Sequence, residues 1–134
     1  MDKKLVTCGL FLDFSKAYDT VNHNILLSKL YHYRICGTPF KWFENYLSNR
    51  TQFVKIGNTK SNCGIPQGST LGPLLFLLYI NDLPNCFNKV SFRIFADDTN
   101  MFCTSANLQH LESVINEELK LVFKYCTTNK LPLT

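Results

Sequence analysis

Arg93-Ile94-Phe95-Ala96-Asp97-Asp98-Thr99-Asn100-Met101-Phe102-Cys103 is the stretch whose reading decides the fold. Val90, Phe92 and Ile94 alternate with polar residues before the acidic pair, and Met101, Phe102 and Cys103 follow it. The pattern predicts strand, tight turn, strand, with both carboxylates at the tip. Adjacent carboxylates repel each other, and a bound divalent cation relieves that repulsion. A plainer reading makes Asp97 a turn former that caps its own backbone. On this stretch alone the plainer reading has the better claim.

A second carboxylate of interest stands far upstream. Residues 5–13 read as a strand that Val6, Leu10, Phe11 and Leu12 make apolar on both faces, which predicts a central place in a sheet. Asp13 ends it, either as a turn former or as a site residue. Between the two acidic stretches lies Gly64-Ile65-Pro66-Gln67-Gly68-Ser69-Thr70-Leu71-Gly72-Pro73. Its glycines and prolines set an unusual backbone that a ligand can approach closely. A very apolar helix over about residues 70–83 follows. A Gly-rich loop feeding a helix is a candidate phosphate or nucleotide cradle. It lacks the Gly-Lys-Ser/Thr of a P-loop.

Other elements fill the intervals. Residues 14–22 look irregular, with room for one helical turn. Asn22 or Asn24 caps a helix reaching about Tyr33, with Ile25, Leu26 and Leu30 inward. Gly37 breaks the chain, and Thr38-Pro39 starts the next helix, Thr38 as cap and Pro39 first. Phe40, Phe43 and Leu47 form its apolar stripe; Trp42 is core or a partner contact. Residues 52–63 read as a hairpin turning at Gly57-Asn58. Lys55 and Lys60 on it, with Arg50 before it, form either a solvated edge or a small phosphate-contact surface. Residues 106–129 read as one amphipathic helix capped by Ser105, with Leu108, Leu111, Ile115, Leu119, Val122 and Cys126 at helical spacing and His110 on its surface. The order implies an α+β fold, a small antiparallel or mixed sheet with helices packed on one face and the other face open.

The totals agree with one globular domain. In 134 residues, 46% are hydrophobic and 18% charged, which excludes a disordered chain. A formal charge of +4 permits a polyanionic partner without demanding one. Six scattered cysteines include no CxxC pair, so a zinc site is not expected, and their apolar settings suit reduced thiols in an intracellular protein. No signal peptide is evident, and the apolar run at 74–80 is far too short to span a bilayer. The abrupt ends suggest a piece of something larger.

Three separated features converge: Asp13 at a strand end, Asp97-Asp98 at a hairpin tip, and a Pro-Gln-Gly loop between them. If the first strand pairs beside the hairpin, the carboxylates meet at one end of the sheet. Two divalent ions held there about 3.5–4 Å apart suit phosphoryl transfer between nucleotides. The sequence resembles reverse transcriptases, most closely those of non-LTR retrotransposons of the jockey and CR1 kind. The stretches carrying the resemblance are Phe11-Leu12-Asp13-Phe14-Ser15-Lys16-Ala17-Tyr18-Asp19-Thr20-Val21-Asn22-His23, then Gly64-Ile65-Pro66-Gln67-Gly68-Ser69-Thr70-Leu71-Gly72-Pro73-Leu74-Leu75-Phe76, and Phe95-Ala96-Asp97-Asp98-Thr99. The tail Tyr125-Cys126-Thr127-Thr128-Asn129-Lys130-Leu131 also fits, with Tyr where many relatives carry Trp. Nearly the whole chain is covered, and the three motifs in this order and spacing are very specific.

The resemblance implies a polymerase palm with part of the fingers, as one partial domain over residues 1–134. It implies RNA-directed DNA polymerase activity, using two Mg²⁺ ions or Mn²⁺, on an RNA template, a DNA primer and a deoxynucleoside triphosphate. Asp13, Asp97 and Asp98 are then the catalytic and metal-binding acids, with the backbone carbonyl of Phe14 as a further ligand. Tyr18 falls under the sugar of the incoming nucleotide, Gln67 falls against that nucleotide and the template base, and Gly68 keeps the backbone low. No role follows for Lys130. The resemblance also puts basic fingers motifs upstream and a thumb downstream, so the 134 residues alone are expected to be inactive. The competing reading is a catalytically silent nucleic-acid-binding remnant. An RNA-directed RNA polymerase ranks lower, because those usually carry Ser-Gly in place of Pro66-Gln67-Gly68 and a second acid where Tyr18 stands.

Overall fold

The computed structural model of the chain describes residues 4–48, 63–66 and 68–134. The hairpin expected at 52–63, with Lys55, Lys60 and Arg50, lies outside the described residues except for Cys63. Gln67 lies outside them too.

Strands β1 (Val6–Leu12), β2 (Ser91–Phe95) and β3 (Asp98–Ser105) form an antiparallel sheet in the order β1-β3-β2. The Phe95↔Asp98 pair leaves Ala96 and Asp97 as a two-residue turn. Ala96 adopts φ 53°, the positive value that tight hairpin turns of this length require. Leu12↔Thr99↔Ile94 and Leu10↔Met101↔Phe92 are register-matched, and these rows face the core. Side chains alternate with period two, so Phe11, Asn100 and Arg93 share the opposite face.

The expectation that the first strand is central is corrected. β3 is the central strand, because its two edges take the hairpin partner and β1. The apolar run of β1 misled because its outward side chain Phe11 is 78% exposed instead of covered. The open face is therefore partly apolar.

Helices α1 (Ala17–Thr20), α2 (His23–His32), α3 (Thr38–Ser48), α4 (Gly72–Ile80) and α5 (Leu108–Thr128) supply the covering layer, with a 3₁₀ turn at Leu83–Cys86. Leu26 and Leu30 of α2, Leu75, Phe76, Tyr79 and Ile80 of α4, and Val122 and Cys126 of α5 join Met101 in one core. Of the two asparagines expected to cap α2, Asn22 does so, its side chain accepting from Ile25 N–H at 3.2 Å. Three boundaries move. α4 is shorter than expected because Asn81-Asp82 turn the chain into the 3₁₀ segment before Pro84. α3 starts one residue early, Gly37 C=O accepting from Lys41 N–H at 3.1 Å, so Thr38 is inside the helix. Asn107 caps α5, accepting from Gln109 N–H at 2.9 Å. Ser105 instead accepts from Asn107 N–H in the turn before it. Trp42, half exposed, stacks on Tyr46 on the surface of α3.

A polar knot joins α2, α4 and α5 behind the sheet. Lys29 Nζ donates to Asp82 Oδ1 and Tyr79 C=O, each at 2.6 Å, and to the Tyr125 hydroxyl at 3.1 Å. The Tyr125 hydroxyl donates to Asp82 Oδ1 at 2.6 Å. Lys29 also lies about 5 Å over the rings of Tyr79 and Tyr125, a cation–π arrangement. Burial lowers the Lys29 pKa below the ordinary lysine value, opposed by its bond to Asp82. Tyr79 is wholly buried; its hydroxyl donates to Asn129 C=O at 2.5 Å and accepts from Asn22 N–H at 3.4 Å. Among the described residues, no helix is long and apolar enough to cross a membrane.

Two stability outcomes are expected. Removing the Asp82 carboxylate (Asp82→Ala) leaves the Lys29 ammonium desolvated and poorly paired. The cost should fall between that of an exposed and a buried pair, about 1–3 kcal/mol, read as a lower urea midpoint at unchanged m. The second concerns alkaline pH. Burial pushes the Tyr79 pKa from 10.0 up to about 12 and raises Tyr125 too. The unfolded chain thus sheds those protons first, and stability present below pH 10 is lost as pH climbs through the folded values. Lys29 acts with the opposite sign just below its ordinary value. For Tyr79 alone the loss is roughly 2–3 kcal/mol. Tyr79→Phe should flatten the stability–pH curve between pH 10 and 12.

Candidate active site at one end of the sheet

β1 and β3 pair through Leu12↔Thr99. The next step of that register sets Asp13 opposite Asp98, with Asp97 in the adjoining turn. The alternation that buries Leu12 and Thr99 turns Asp13 and Asp98 to the open face, and both are exposed. The three acids expected from the sequence thus lie at the same end of the sheet. Among the described residues, no group of three His, Cys, Asp or Glu side chains is close enough to hold a metal ion.

Beside this end lies an open cleft of about 550 Å³, lined by Tyr18, Pro66, Gly68, Ser69, Thr70, Gly72, Pro73 and Asp97. It brings together three of the expected site residues, Tyr18, Gly68 and Asp97. Asp13 and Asp98 are not in its walls. The Tyr18 ring packs on the buried Phe76 ring at 5.2 Å between centroids. Burial raises the Tyr18 pKa, and the nearby Asp97 carboxylate raises it further by disfavouring a second negative charge. The tyrosine is therefore a neutral wall of the cleft.

The loop wall is tied down bond by bond. Gly64 N–H donates to Val21 C=O at 2.9 Å, and Ile65 N–H donates to Tyr18 C=O at 2.8 Å. Asn22 bridges Cys63 in antiparallel fashion. Gly64 and Gly68 adopt φ of 98° and 82°, which side chains resist. The Ser69 hydroxyl donates to Pro66 C=O and accepts from Gly72 N–H, both at 3.0 Å. A Cβ on Gly72 would approach Pro66 O and Ser69 Oγ to 3.2 Å each, so the start of α4 packs tightly under the loop.

Phe14 has its ring buried against Phe76 at 6.4 Å. Its backbone lies in a short antiparallel bridge to Leu133, in which Ser15 N–H donates to Pro132 C=O and Thr134 N–H to Asp13 C=O. The bridge uses the carbonyl of Asp13 and leaves that of Phe14 out of it. The sequence reading missed Ser69 and His23, whose Nε2 lies 2.7 Å from Gly64 O. His23 had a signal: it occupies the same helical face as Leu26 and Leu30, the buried face of α2.

The whole chain, residues 1–134, matches the family model described as reverse transcriptase (RNA-dependent DNA polymerase). Three relatives from Drosophila melanogaster agree. The probable RNA-directed DNA polymerase from transposon BS is 29% identical over 138 residues, covering 93% of this chain and 15% of that protein. The probable RNA-directed DNA polymerase from transposon X-element is 36% identical, covering 72% of this chain and 12% of that protein. The RNA-directed DNA polymerase from mobile element jockey is 30% identical, covering 89% of this chain and 14% of that protein. The chain thus spans less than a sixth of the length of these relatives. With an acid-tipped hairpin, a strand-end aspartate and a strapped Gly-rich loop at one sheet end, and a family match over every residue, the chain belongs to the reverse transcriptase family.

Proposed function

We propose that this chain is the palm segment of an RNA-directed DNA polymerase, extending a DNA primer on an RNA or DNA template from deoxynucleoside triphosphates. The observation that carries this reading is the cleft shared by Tyr18, Gly68 and Asp97, set against the sheet end that bears Asp13 and Asp98. In this reaction the primer 3′ oxygen forms a bond to the α-phosphorus, and the bond to pyrophosphate breaks. Asp13, Asp97 and Asp98 supply the negative, oxygen-rich environment for that centre. The Tyr18 ring bounds the sugar of the incoming nucleotide, and the Gly68 backbone leaves room beside it. The open sheet face offers the exposed rings of Phe11 and Phe95, with Arg93 on the same face, to primer and template.

The carboxylates fit Mg²⁺ or Mn²⁺ by donor type. Such ions favour carboxylate oxygens, and Mg²⁺ usually binds through one or two of them plus waters and substrate phosphates, not through a complete protein cage. Three acids at one sheet end match that mode. Asp13, Asp97, Asp98 and the Phe14 carbonyl would hold the ions. Bound there, they would offset charge on the reacting oxygens.

Asp97→Asn, and separately Asp13→Asn, in a polymerase of the relatives' length carrying this segment, should cut nucleotide addition by at least about 10²-fold with the fold kept. Near-normal addition by either folded variant would point to a nucleic-acid-binding remnant. Tyr18→Val should admit ribonucleotides, moving discrimination by about 1–3 kcal/mol. Single-nucleotide incorporation reads this directly, and an unchanged ribo-to-deoxy ratio would return Tyr18 to the core.

A further inference from the structure

His23 is a buried polar side chain that the reaction scheme above leaves unused. It is the first residue of α2, directly after the Asn22 cap. Its Nε2 lies 2.7 Å from Gly64 O, inside the protein. A carbonyl oxygen only accepts, so Nε2 carries the proton, and the ring donates whether it is neutral or charged.

Gly64 is where the chain enters the loop that walls the cleft. Its N–H is already committed to Val21 C=O, and the next N–H, of Ile65, to Tyr18 C=O. With φ 98°, Gly64 has a backbone freedom that the other residue types lack. Two hydrogen bonds to N–H groups hold the strap on one side. The bond from His23 holds the carbonyl of the same glycine, fixing the peptide plane between Gly64 and Ile65. Beyond that plane come Pro66, Gly68 and Ser69, three residues of the cleft wall facing Tyr18 and Asp97. The other end of the wall is held by Ser69 and Gly72.

We propose that His23 is a positioning residue for the nucleotide: it sets the height of the cleft wall at Pro66, Gly68 and Ser69 over Tyr18 without touching substrate. This rests on the nucleotide-addition reading. Losing the donor leaves Gly64 C=O buried and unpaired. The loop then shifts, and nucleotide binding suffers more than the chemistry.

The test is steady-state incorporation by a polymerase of the relatives' length carrying this segment, with hydrogen exchange on the same protein. His23→Ala is expected to raise the dNTP KM about tenfold with kcat within about threefold. His23→Gln, which can present an amide donor, is expected to bring KM back to within about threefold of the parent. Exchange should quicken at the Gly64 and Ile65 amides and stay unchanged along α5. His23→Phe keeps the ring volume and removes the donor, so it should itself raise the dNTP KM about tenfold, which keeps the test available should the smaller side chain of His23→Ala prevent folding. A KM that ignores these substitutions, a kcat loss without a KM change, or exchange that quickens throughout the protein would each overturn the proposal. If the unsubstituted polymerase adds no nucleotide, both readings fail. If it does and KM ignores His23, only this one fails.

Discussion

The antiparallel register of β1 on β3 is the constraint on which the rest depends. Side chains alternate with period two, so a slip of one residue would exchange the two faces of β1. Leu10 and Leu12 would leave the core, and Phe11 would enter it. The core-facing row of buried Leu12 and Thr99 with half-buried Ile94 holds the register from one side. The directly opposed Thr7 and Thr104, with hydroxyls 2.9 Å apart, hold it from the other. Once the register is set, Asp13 has no freedom to choose its face: it follows Leu12 outward, across from Asp98. The placement of the acids is a by-product of burying leucines.

The second layer of control comes from main-chain hydrogen bonds between neighbouring segments. The segment 63–65 runs along 18–22, and the segment 132–134 runs along 13–15. Both flank the stretch that carries Asp13 and Tyr18, so that stretch is held on two sides by main-chain bonds. The Tyr79 hydroxyl, bonded to Asn22 and Asn129, ties the roots of both flanking segments to α4. Lys29, Asp82 and Tyr125 hold the same C-terminal end of α4 through the Tyr79 carbonyl. Such a fully connected polar network specifies one arrangement more sharply than an apolar surface would. The site is open and the scaffold behind it is tight, which suits chemistry that depends on positioning.

Much of this was legible in the sequence, for local reasons. The hairpin followed from alternation across Asp97-Asp98, the α2 cap from the asparagines at 22 and 24, and the one-sided sheet from the order of strands and helices. What failed was non-local or degenerate. An apolar run on both faces, as in residues 5–12, reads the same for a central strand and for a strand with an exposed ring, since composition does not report what covers Phe11. Ser105 and Asn107 are both good caps two residues apart, and only the geometry chooses. The acids stood out at a strand end and a hairpin tip, their catalytic role came from motif resemblance, and their common sheet end follows from register. The His23 bond to Gly64 spans 41 residues and could be seen only once α2 and the loop were folded together.

The most direct measurement is iron-directed cleavage. Fe²⁺ substituted for Mg²⁺ in a polymerase of the relatives' length, with hydrogen peroxide as oxidant and ascorbate to return the iron to Fe²⁺, generates hydroxyl radicals that cut the chain next to the ion. With primer, template and the next dNTP bound, cuts should cluster at residues 13–18, 64–68 and 96–98, and should vanish with Asp97→Asn. Cuts confined to other segments, or unchanged by that substitution, would contradict a nucleotide-addition site built on this end of the sheet.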